Sequence, residues 1–398
     1  MTDQPTQSMT GAEALVSTLA DHGVTACFAN PGTSEMHLVT ALDHEPRIKS
    51  TLCLFEGVAT GAADGHARVT GTPAMTLLHL GAGYLNGGAN IHNARRAWTP
   101  MINVIGDHAV PHQRYDAPLA SDVIGMAGPN SRWIKSADKV GQAGDLAAQA
   151  WEASFGPEPG PVSLILPADT AWLEGGKPGA TRARPSLRQP DTITIDVAAA
   201  AVKSASKPII IINGTALTEA GLAQAARVKA AGVRVLTDTF FPRQARGAGR
   251  FIPDRMQYFA EGAMSDLEGS DLMLIAGTQV PVAFFAYPGK PSKLEADGCK
   301  FHRLCDLAED MEDALARLAD ALDAKADSAV TQSSQRPDLP AGELNPDSIA
   351  AVLGALLPEG AIIADESVTT GRGFYPFTAG APPHDWLNNM GGSMGLGM

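Results

Sequence analysis

Residues 52–68 read LCLFEGVATGAADGHAR, a short apolar run followed by a segment of small residues. The run over residues 51–55 predicts a buried strand, and Glu56 stands where that strand gives way to a helix. A buried carboxylate is costly unless a charge or a donor meets it, and otherwise it becomes a proton carrier. The residues alone leave two interpretations of Glu56 open, a catalytic acid or base and a buried residue that caps the following helix.

The predicted helix carries Gly57, Gly61 and Gly65 at four-residue spacing. This spacing leaves one helix face almost without side chains. Glycine in such a place is typical of a close approach by another part of the structure. We therefore expect a neighbouring element or subunit to pack directly on this face.

Composition limits the classes of function. The 398 residues predict two to three domains, and 44% hydrophobic with 18% charged residues is typical of a globular protein. The net charge of −13 argues against nucleic acid and anionic membranes as partners, because no basic stripe is present to neutralise phosphates.

The cysteines and the absence of targeting signals indicate the compartment. Cys27, Cys53, Cys299 and Cys305 lie mostly in apolar surroundings without CxxC pairing, which is typical of reduced core residues in a cytoplasmic protein. We find no signal peptide, and no apolar run reaches the ~20 residues that span a bilayer.

Strand and helix patterns alternate along the chain, and apolar runs at residues 161–167 and 272–276 predict two of the strands. The predicted fold class is therefore α/β, with successive doubly wound parallel-sheet domains. Ligands meet such sheets at the carboxyl ends of the strands. Residues 30–33, Glu56 and His79 all fall at predicted strand ends, and His79 precedes a Gly/Asn-rich bend over residues 81–88.

Linker composition predicts the domain boundaries. Gly, Pro and Arg over residues 174–190 place a boundary near residue 185, and residues 326–342 form a second linker. The turn at residues 213–216 lacks the GxGxxG fingerprint, so a dinucleotide cofactor is poorly supported. The third unit has only about 60 residues, too few for an independent α/β domain, and we expect the sequence to be truncated.

Five short motifs occur in a fixed order along three successive α/β units. They are Asn30-Pro31-Gly32-Thr33, Phe55-Glu56-Gly57, His79, Asp365-Glu366-Ser367 and Gly391-Gly392-Ser393-Met394-Gly395. Together they resemble the thiamine diphosphate-dependent decarboxylase and carboligase family, whose members include benzoylformate decarboxylase and acetolactate synthase large subunits. The resemblance implies a pyrimidine-binding domain at 1–185, a central domain at 186–335 and an incomplete diphosphate-binding domain at 336–398.

The resemblance also implies roles for single residues. Glu56 would exchange a proton with the pyrimidine ring of the cofactor, and His79 would shuttle protons to intermediates. Thr33 would lie near the substrate carboxylate. The cofactor-binding residues implied are Asn30, Pro31, Gly32, Glu56, Asn86, Ser367, Val368, Thr369, Gly392 (through its carbonyl) and Met394 (as the apolar wedge that bends the cofactor).

The implied activity is decarboxylation or carboligation of a 2-oxo acid through an enamine, with thiamine diphosphate and Mg²⁺ as cofactors and without FAD. The metal ligands are expected beyond the end of the chain. A homodimer or homotetramer would carry active sites between subunits. The alternative is a non-catalytic fragment or binding subunit that cannot anchor the diphosphate.

Two features depart from the family pattern or imitate it. Residues 282–290 carry aromatic residues where benzoylformate decarboxylase has a second histidine, which puts specificity for aromatic 2-oxo acids in doubt. Gly106-Asp107-His108 and Asn388-Asn389 imitate parts of the family's metal motif. We interpret both as ordinary loop residues, so no metal ligand is assigned.

Overall fold

The computed structural model describes residues 8–325 and 330–395. It divides into two compact units, Met1–Ser186 with Met390–Met398 and Leu187–Asn389. The three-domain division inferred from the sequence stays a prediction. Residues 326–329 of the second predicted linker lie outside the described residues.

The first unit is built on a six-stranded parallel sheet. The strands of the unit, six in this sheet and two outside it, are β1 (Met9–Thr10), β2 (Ala26–Asn30), β3 (Lys49–Leu52), β4 (Ala74–Leu78), β5 (Met101–Asp107), β6 (Ile134–Ser136), β7 (Pro161–Pro167) and β8 (Glu174–Gly176). The order in the sheet is β3-β2-β4-β5-β7-β6, and β1 pairs with β8 in a separate antiparallel ribbon. The helices are α1 (Gly11–Asp21), α2 (Met36–Asp43), α3 (Glu56–Thr70), α4 (Leu80–Arg96), α5 (Val110–Gln113), α6 (Val123–Ala127), α7 (Ala143–Ser154) and α8 (Ala168–Trp172).

Helices cover both faces of this sheet. One buried apolar cluster joins Leu15 of α1 and Trp151 of α7 to strand residues that include Val104. A second cluster joins Ile91 of α4 to the neighbouring strand residue Ile105. Successive strand residues point to opposite faces, so the two clusters lie on the two sides of the sheet. The doubly wound α/β class is confirmed.

The second unit contains a five-stranded parallel sheet and a three-stranded mixed sheet, with strand orders β12-β10-β9-β13-β14 and β11-β16-β15. The strands are β9 (Pro208–Ile212), β10 (Arg234–Thr237), β11 (Gln244–Arg246), β12 (Asp254–Arg255), β13 (Leu272–Ala276), β14 (Lys300–Cys305), β15 (Ile362–Asp365) and β16 (His384–Asn388). The helices are α9 (Thr192–Ser204), α10 (Glu219–Ala230), α11 (Ala260–Leu267), α12 (Met311–Ala321), α13 (Pro346–Leu356) and α14 (Phe374–Phe377).

Two local predictions are wrong. The buried strand expected over residues 51–55 is the exposed strand β3, which ends at Leu52 and lies at the edge of its sheet. An edge strand has a partner on one side only, so apolar composition did not imply burial. The bend expected over residues 81–88 is the first half of the 17-residue helix α4, where packing overrides the low helix propensity of Gly and Asn.

Helices α3 and α4 of the same unit approach each other closely at Thr60 and Gly87, and the partner expected to face Gly61 and Gly65 of α3 stays a prediction. Thr60 Oγ1 donates to the Gly87 carbonyl at 3.0 Å. A Cβ atom on Gly87 would lie 2.8 Å from Thr60 Cγ2, which is closer than van der Waals contact allows. The small residues therefore let two helices of one subunit pack tightly. Among the described residues, no helix is long and apolar enough to cross a membrane.

Candidate active site

Glu56 is the first residue of α3 and only 7% exposed. Asn86 Nδ2 donates to Glu56 Oε2 at 3.1 Å, and in the described part of the chain no other side chain hydrogen-bonds to this carboxylate. A Cβ atom on Gly83 would lie 3.3 Å from Glu56 Oε1, so this glycine leaves space beside the second oxygen. Among the described residues the Glu56 carboxylate accepts from Asn86 and from no backbone N–H of α3, so it does not cap the helix through a hydrogen bond.

A row of asparagines on α4 connects Glu56 with the end of the described chain. Asn86, Asn90 and Asn93 are four and three residues apart and thus lie on one helix face. Asn90 Nδ2 donates to the Gly57 carbonyl at 2.7 Å and to the Gly395 carbonyl at 3.4 Å. Asn93 exchanges two hydrogen bonds with the Ser393 backbone, at 2.9 and 3.1 Å.

This row brings several predicted residues to one helix. Gly392 and Met394 flank Ser393, and Met394 is 55% exposed. Gly392 has a φ of +76°, a conformation that favours glycine. Sequence reasoning missed Asn90 and Asn93, and their spacing would have revealed them if residues 81–88 had been read as helix.

A second cluster lies at the carboxyl ends of the adjacent strands β2 and β4. His79 follows β4, and its Nδ1 lies 2.7 Å from Glu35 Oε2. The Glu35 side chain is fully buried. Its Oε2 also accepts the Gly32 N–H at 2.7 Å, and its Oε1 accepts the Ser34 hydroxyl at 2.7 Å. Glu35 thus ties His79 to the predicted 30–33 motif.

The residues after Gly32 lead from β2 into α2. Residues 33–35 form a 3₁₀ turn. The Glu35 carboxylate caps this turn by accepting the Gly32 N–H, and in the described chain the Thr33 hydroxyl makes no capping hydrogen bond. Thr33 is exposed, while Asn30 and Pro31 are half-buried. The Thr33 hydroxyl is therefore left facing solvent rather than bound to the helix start.

Two glycines and one strained residue make the His79 cluster possible. A Cβ atom on Gly32 would overlap the His79 ring, and one on Gly106 would overlap Glu35 Oε1. Gly106, interpreted from the sequence as an ordinary loop residue, lies in β5 and makes room for the carboxylate. Leu80 has a φ of +53°, a left-handed conformation that side-chain-bearing residues adopt at a cost. Burial raises the pKa of the neighbouring Asp107 carboxyl.

The remaining predicted residues belong to the second unit. Ser367 donates from both its N–H and its hydroxyl to Asp365 Oδ1, and Val368 and Thr369 are exposed. Asn388 ends β16 and its side chain lies near Asp365. Within residues 8–325 and 330–395, no group of three or more His, Cys, Asp and Glu side chains could hold a metal ion.

Exposed apolar side chains surround Glu56. Leu54 is 94% exposed. Four further apolar residues, on β3, before and in α3, and in α4, are between 47% and 69% exposed. Exposed large apolar side chains that lie close to one another in sequence, as four of these do, are typical of an interaction site. The exposed residues are Leu52, Leu54, Phe55, Val58 and Leu85, named here the Glu56 apolar surface.

Comparisons with known proteins point to one enzyme family. Residues 9–126 match the family model "Thiamine pyrophosphate enzyme, N-terminal TPP binding domain". The chain is 48% identical over 393 residues to the "Putative acetolactate synthase large subunit IlvX" of Mycobacterium tuberculosis, covering 98% of this chain and 75% of the relative. It is 25% identical over 409 residues to a benzoylformate decarboxylase of Pseudomonas aeruginosa, covering 96% of this chain and 75% of that relative.

The fold has matches among solved structures as well. A thiamine diphosphate-dependent 4-hydroxybenzoylformate decarboxylase of Rhodococcus jostii RHA1 superposes with a TM-score of 0.81 at 20% identity, covering 98% of this chain and 77% of that one. All three proteins are named for enzymes, which gives no support to the alternative of a non-catalytic binding subunit. The match at 48% identity over nearly the whole length decides the family, and the chain belongs to the thiamine pyrophosphate enzymes.

Proposed function

We propose that this protein acts on a 2-oxo acid with thiamine diphosphate, by decarboxylation or by carboligation. The observation that carries the proposal is Glu56, a buried carboxylate with a single neutral donor. A carboxylate left without a cation in a dry site is suited to hold or share a proton. The His79–Glu35 pair supplies a second proton carrier at the carboxyl edge of the same sheet.

The residues present fit the pyrimidine end of the cofactor. Glu56 offers a carboxylate oxygen to a ring nitrogen, and the missing side chain of Gly83 leaves space beside it. Among the described residues, no lysine or arginine neutralises Glu56. Backbone carbonyls near Gly392 and the exposed Met394 side chain add a polar and an apolar contact of the kind a flat aminopyrimidine requires.

When bound, thiamine diphosphate supplies a carbon nucleophile and an electron sink for bond cleavage next to a carbonyl group. Glu56 holds the proton that moves to and from the pyrimidine nitrogen. Asn86 fixes the orientation of the Glu56 carboxylate through its 3.1 Å hydrogen bond to Oε2. His79 carries a proton to or from the substrate at its second ring nitrogen, and the Thr33 hydroxyl donates to the substrate carboxylate.

The other predicted contacts complete the proposal. Asn30, Pro31 and Gly32 line the cofactor beside His79. Ser367, Val368 and Thr369 hold the diphosphate, and Mg²⁺ accompanies it as counter-ion. Within the described ranges no group of three or more His, Cys, Asp and Glu side chains could hold a metal ion, so none of these residues is proposed as a Mg²⁺ ligand.

Turnover of a panel of 2-oxo acids tests the proposal. The purified chain is loaded with thiamine diphosphate and Mg²⁺, and carbon dioxide release and condensation products are measured for aliphatic and aromatic acids. We expect at least one acid to be consumed in a cofactor-dependent manner. If calorimetry detected no binding of thiamine diphosphate and no acid were consumed, the proposal would be wrong.

A His79→Ala variant is expected to lower kcat by about 100-fold or more, the scale of general acid–base catalysis. The reason is that proton transfer to the substrate loses its carrier while Glu56 remains in place. Exchange of the cofactor's acidic carbon proton with deuterium oxide measures the Glu56 step separately. This exchange should stay near the wild-type rate, and its collapse would assign His79 to cofactor activation instead.

We further propose that the Glu56 apolar surface is covered by a second copy of the chain, in a homodimer or homotetramer with active sites between subunits. Leu54→Asp places a charge at the most exposed of its apolar residues. We expect this variant to shift the mass measured by light scattering from the assembled form to the monomer. Leu344→Asp, at an 82% exposed leucine of the second unit, is the matched control and should leave the mass unchanged. Equal masses for both variants would contradict the assignment of this surface.

A further inference from the structure

The Glu35 carboxylate of the His79 cluster was given no role from the sequence. Its side chain is fully buried. It accepts the Gly32 N–H and the Ser34 hydroxyl on its two oxygens, and an ionised carboxylate has no hydrogen to donate. The third contact, at 2.7 Å to His79 Nδ1, must therefore receive its hydrogen from the imidazole ring.

Ser34 supports the same placement of the hydrogen. Its hydroxyl hydrogen is directed to Glu35 Oε1 at 2.7 Å, and its oxygen also lies 3.2 Å from His79 Nδ1. An oxygen that has already used its hydrogen can only accept there. Both groups facing Nδ1 are thus acceptors, which requires an N–H on that nitrogen and leaves Nε2 without a hydrogen in neutral imidazole.

We propose that Glu35 is the positioning residue of His79, holding the ring as the Nδ1–H tautomer with Nε2 available to take a proton. The inference rests on the proposed function for the role of His79 in proton transfer. A carboxylate on one ring nitrogen fixes both the tautomer and the ring plane, and it stabilises the imidazolium that forms when Nε2 is protonated. Glu35 acts through His79 and touches no substrate in this scheme.

The surroundings of the pair are built to hold one ring orientation. The Gly32 backbone lies so close to the imidazole that a Cβ atom would overlap it, and Gly106 is equally close to the carboxylate. Leu80, 2% exposed and in a left-handed conformation, fixes the backbone directly after His79. Strain held in place beside a functional side chain is typical of preorganised sites.

Nitrogen-15 NMR of histidine-labelled protein tests the tautomer without any cofactor or substrate. The chain has ten histidines, and the His79 signals are assigned as those lost in His79→Ala. At a pH where His79 is neutral, we expect a protonated Nδ1 and a bare Nε2. A wild-type ring protonated at Nε2 instead would overturn the proposal, and this measurement depends on no variant folding.

Two substitutions then separate positioning from bulk structure. Glu35→Met keeps the side-chain length and removes the acceptor, so His79 should become a mixture of both neutral tautomers. Glu35→Gln keeps an acceptor oxygen and should retain the Nδ1–H form. Glu13→Met, which removes another half-buried carboxylate of this unit, is the matched control and should leave the His79 signals unchanged. An unaltered Nδ1–H tautomer in Glu35→Met would overturn the assignment.

Turnover supplies the second readout. Glu35→Met should lower kcat towards the level of His79→Ala, with KM changed less, and the double variant should be no slower than His79→Ala alone because both act through one ring. Glu35→Gln should recover part of kcat. Fully additive losses would overturn the positioning role. If the Nδ1–H tautomer is found and no 2-oxo acid is consumed, the proposed function fails while the Glu35–His79 geometry stands.

Discussion

Glu56→Gln is expected to lower turnover of a 2-oxo acid by more than about 100-fold, on the scale of lost acid–base catalysis. The substitution is nearly isosteric, and the amide oxygen can still accept the Asn86 hydrogen bond that Glu56 Oε2 accepts at 3.1 Å. What disappears is the ability to take up and release a proton, since an amide does neither near neutral pH. The loss should fall on kcat and on deuterium exchange at the acidic carbon of the cofactor.

The fold should survive this substitution. Glu56 makes no side-chain cap hydrogen bond at the start of α3, and burying an amide costs less than burying a charge. Far-ultraviolet circular dichroism and the thermal midpoint are the controls, and Glu13→Gln, in the capping box of α1, is the matched substitution that should keep turnover. Wild-type turnover in Glu56→Gln would exclude Glu56 as the proton carrier.

Local sequence patterns predicted the strands that are buried on both faces. The runs at Pro161–Pro167 and Leu272–Ala276 coincide with β7 and β13, because a strand covered by helices on both sides is apolar throughout. The bounds and the burial of β3 were predicted wrongly, because an edge strand is exposed to solvent on one side and its burial does not follow from apolar composition. The helix α4 was missed at its start because tertiary contacts with α3 compensate for its glycines.

The candidate site was predictable as far as single residues carry a motif. His79 directly follows β4, and Glu56 follows β3 after a three-residue loop, so both were found as residues that come after a strand. Glu35 was not, because its partner His79 is 44 residues away and only the pairing of β2 with β4 brings the two together. A sequence read one segment at a time does not contain that contact. The same holds for Asn93, whose partner Ser393 is 300 residues away.

The stretch that opens with Glu56 also contains a buried ion pair that was given no role. Arg68 binds Asp64 in a bidentate manner, with Nε–Oδ1 at 2.8 Å and Nη2–Oδ2 at 2.6 Å. The two side chains are 1% and 0% exposed. They stand one turn apart on α3, in the favourable order of acid before base. A guanidinium this deeply buried is stabilised by the carboxylate that binds it.

Asp64→Ala is therefore expected to destabilise the first unit by about 3–5 kcal/mol, because the Arg68 guanidinium stays buried without its carboxylate. Hydrogen exchange of the α3 amides, compared with wild type at equal protein concentration, measures the opening free energy of this helix directly. Replacing both charges by apolar residues, as in Asp64→Leu with Arg68→Met, should cost less than the single change, because the double variant buries no guanidinium at all.

The order of these two variants is the decisive result. If the double variant were less stable than Asp64→Ala, the ion pair would stabilise α3 by more than it costs to bury its two charges. If Asp64→Ala lost less than about 1 kcal/mol, the cost expected of an exposed pair, Arg68 would be solvated in solution. The expected order instead makes Asp64 the group that allows an arginine inside α3, and Glu56, at the first turn of this helix, should lose its fixed position when Asp64 is removed.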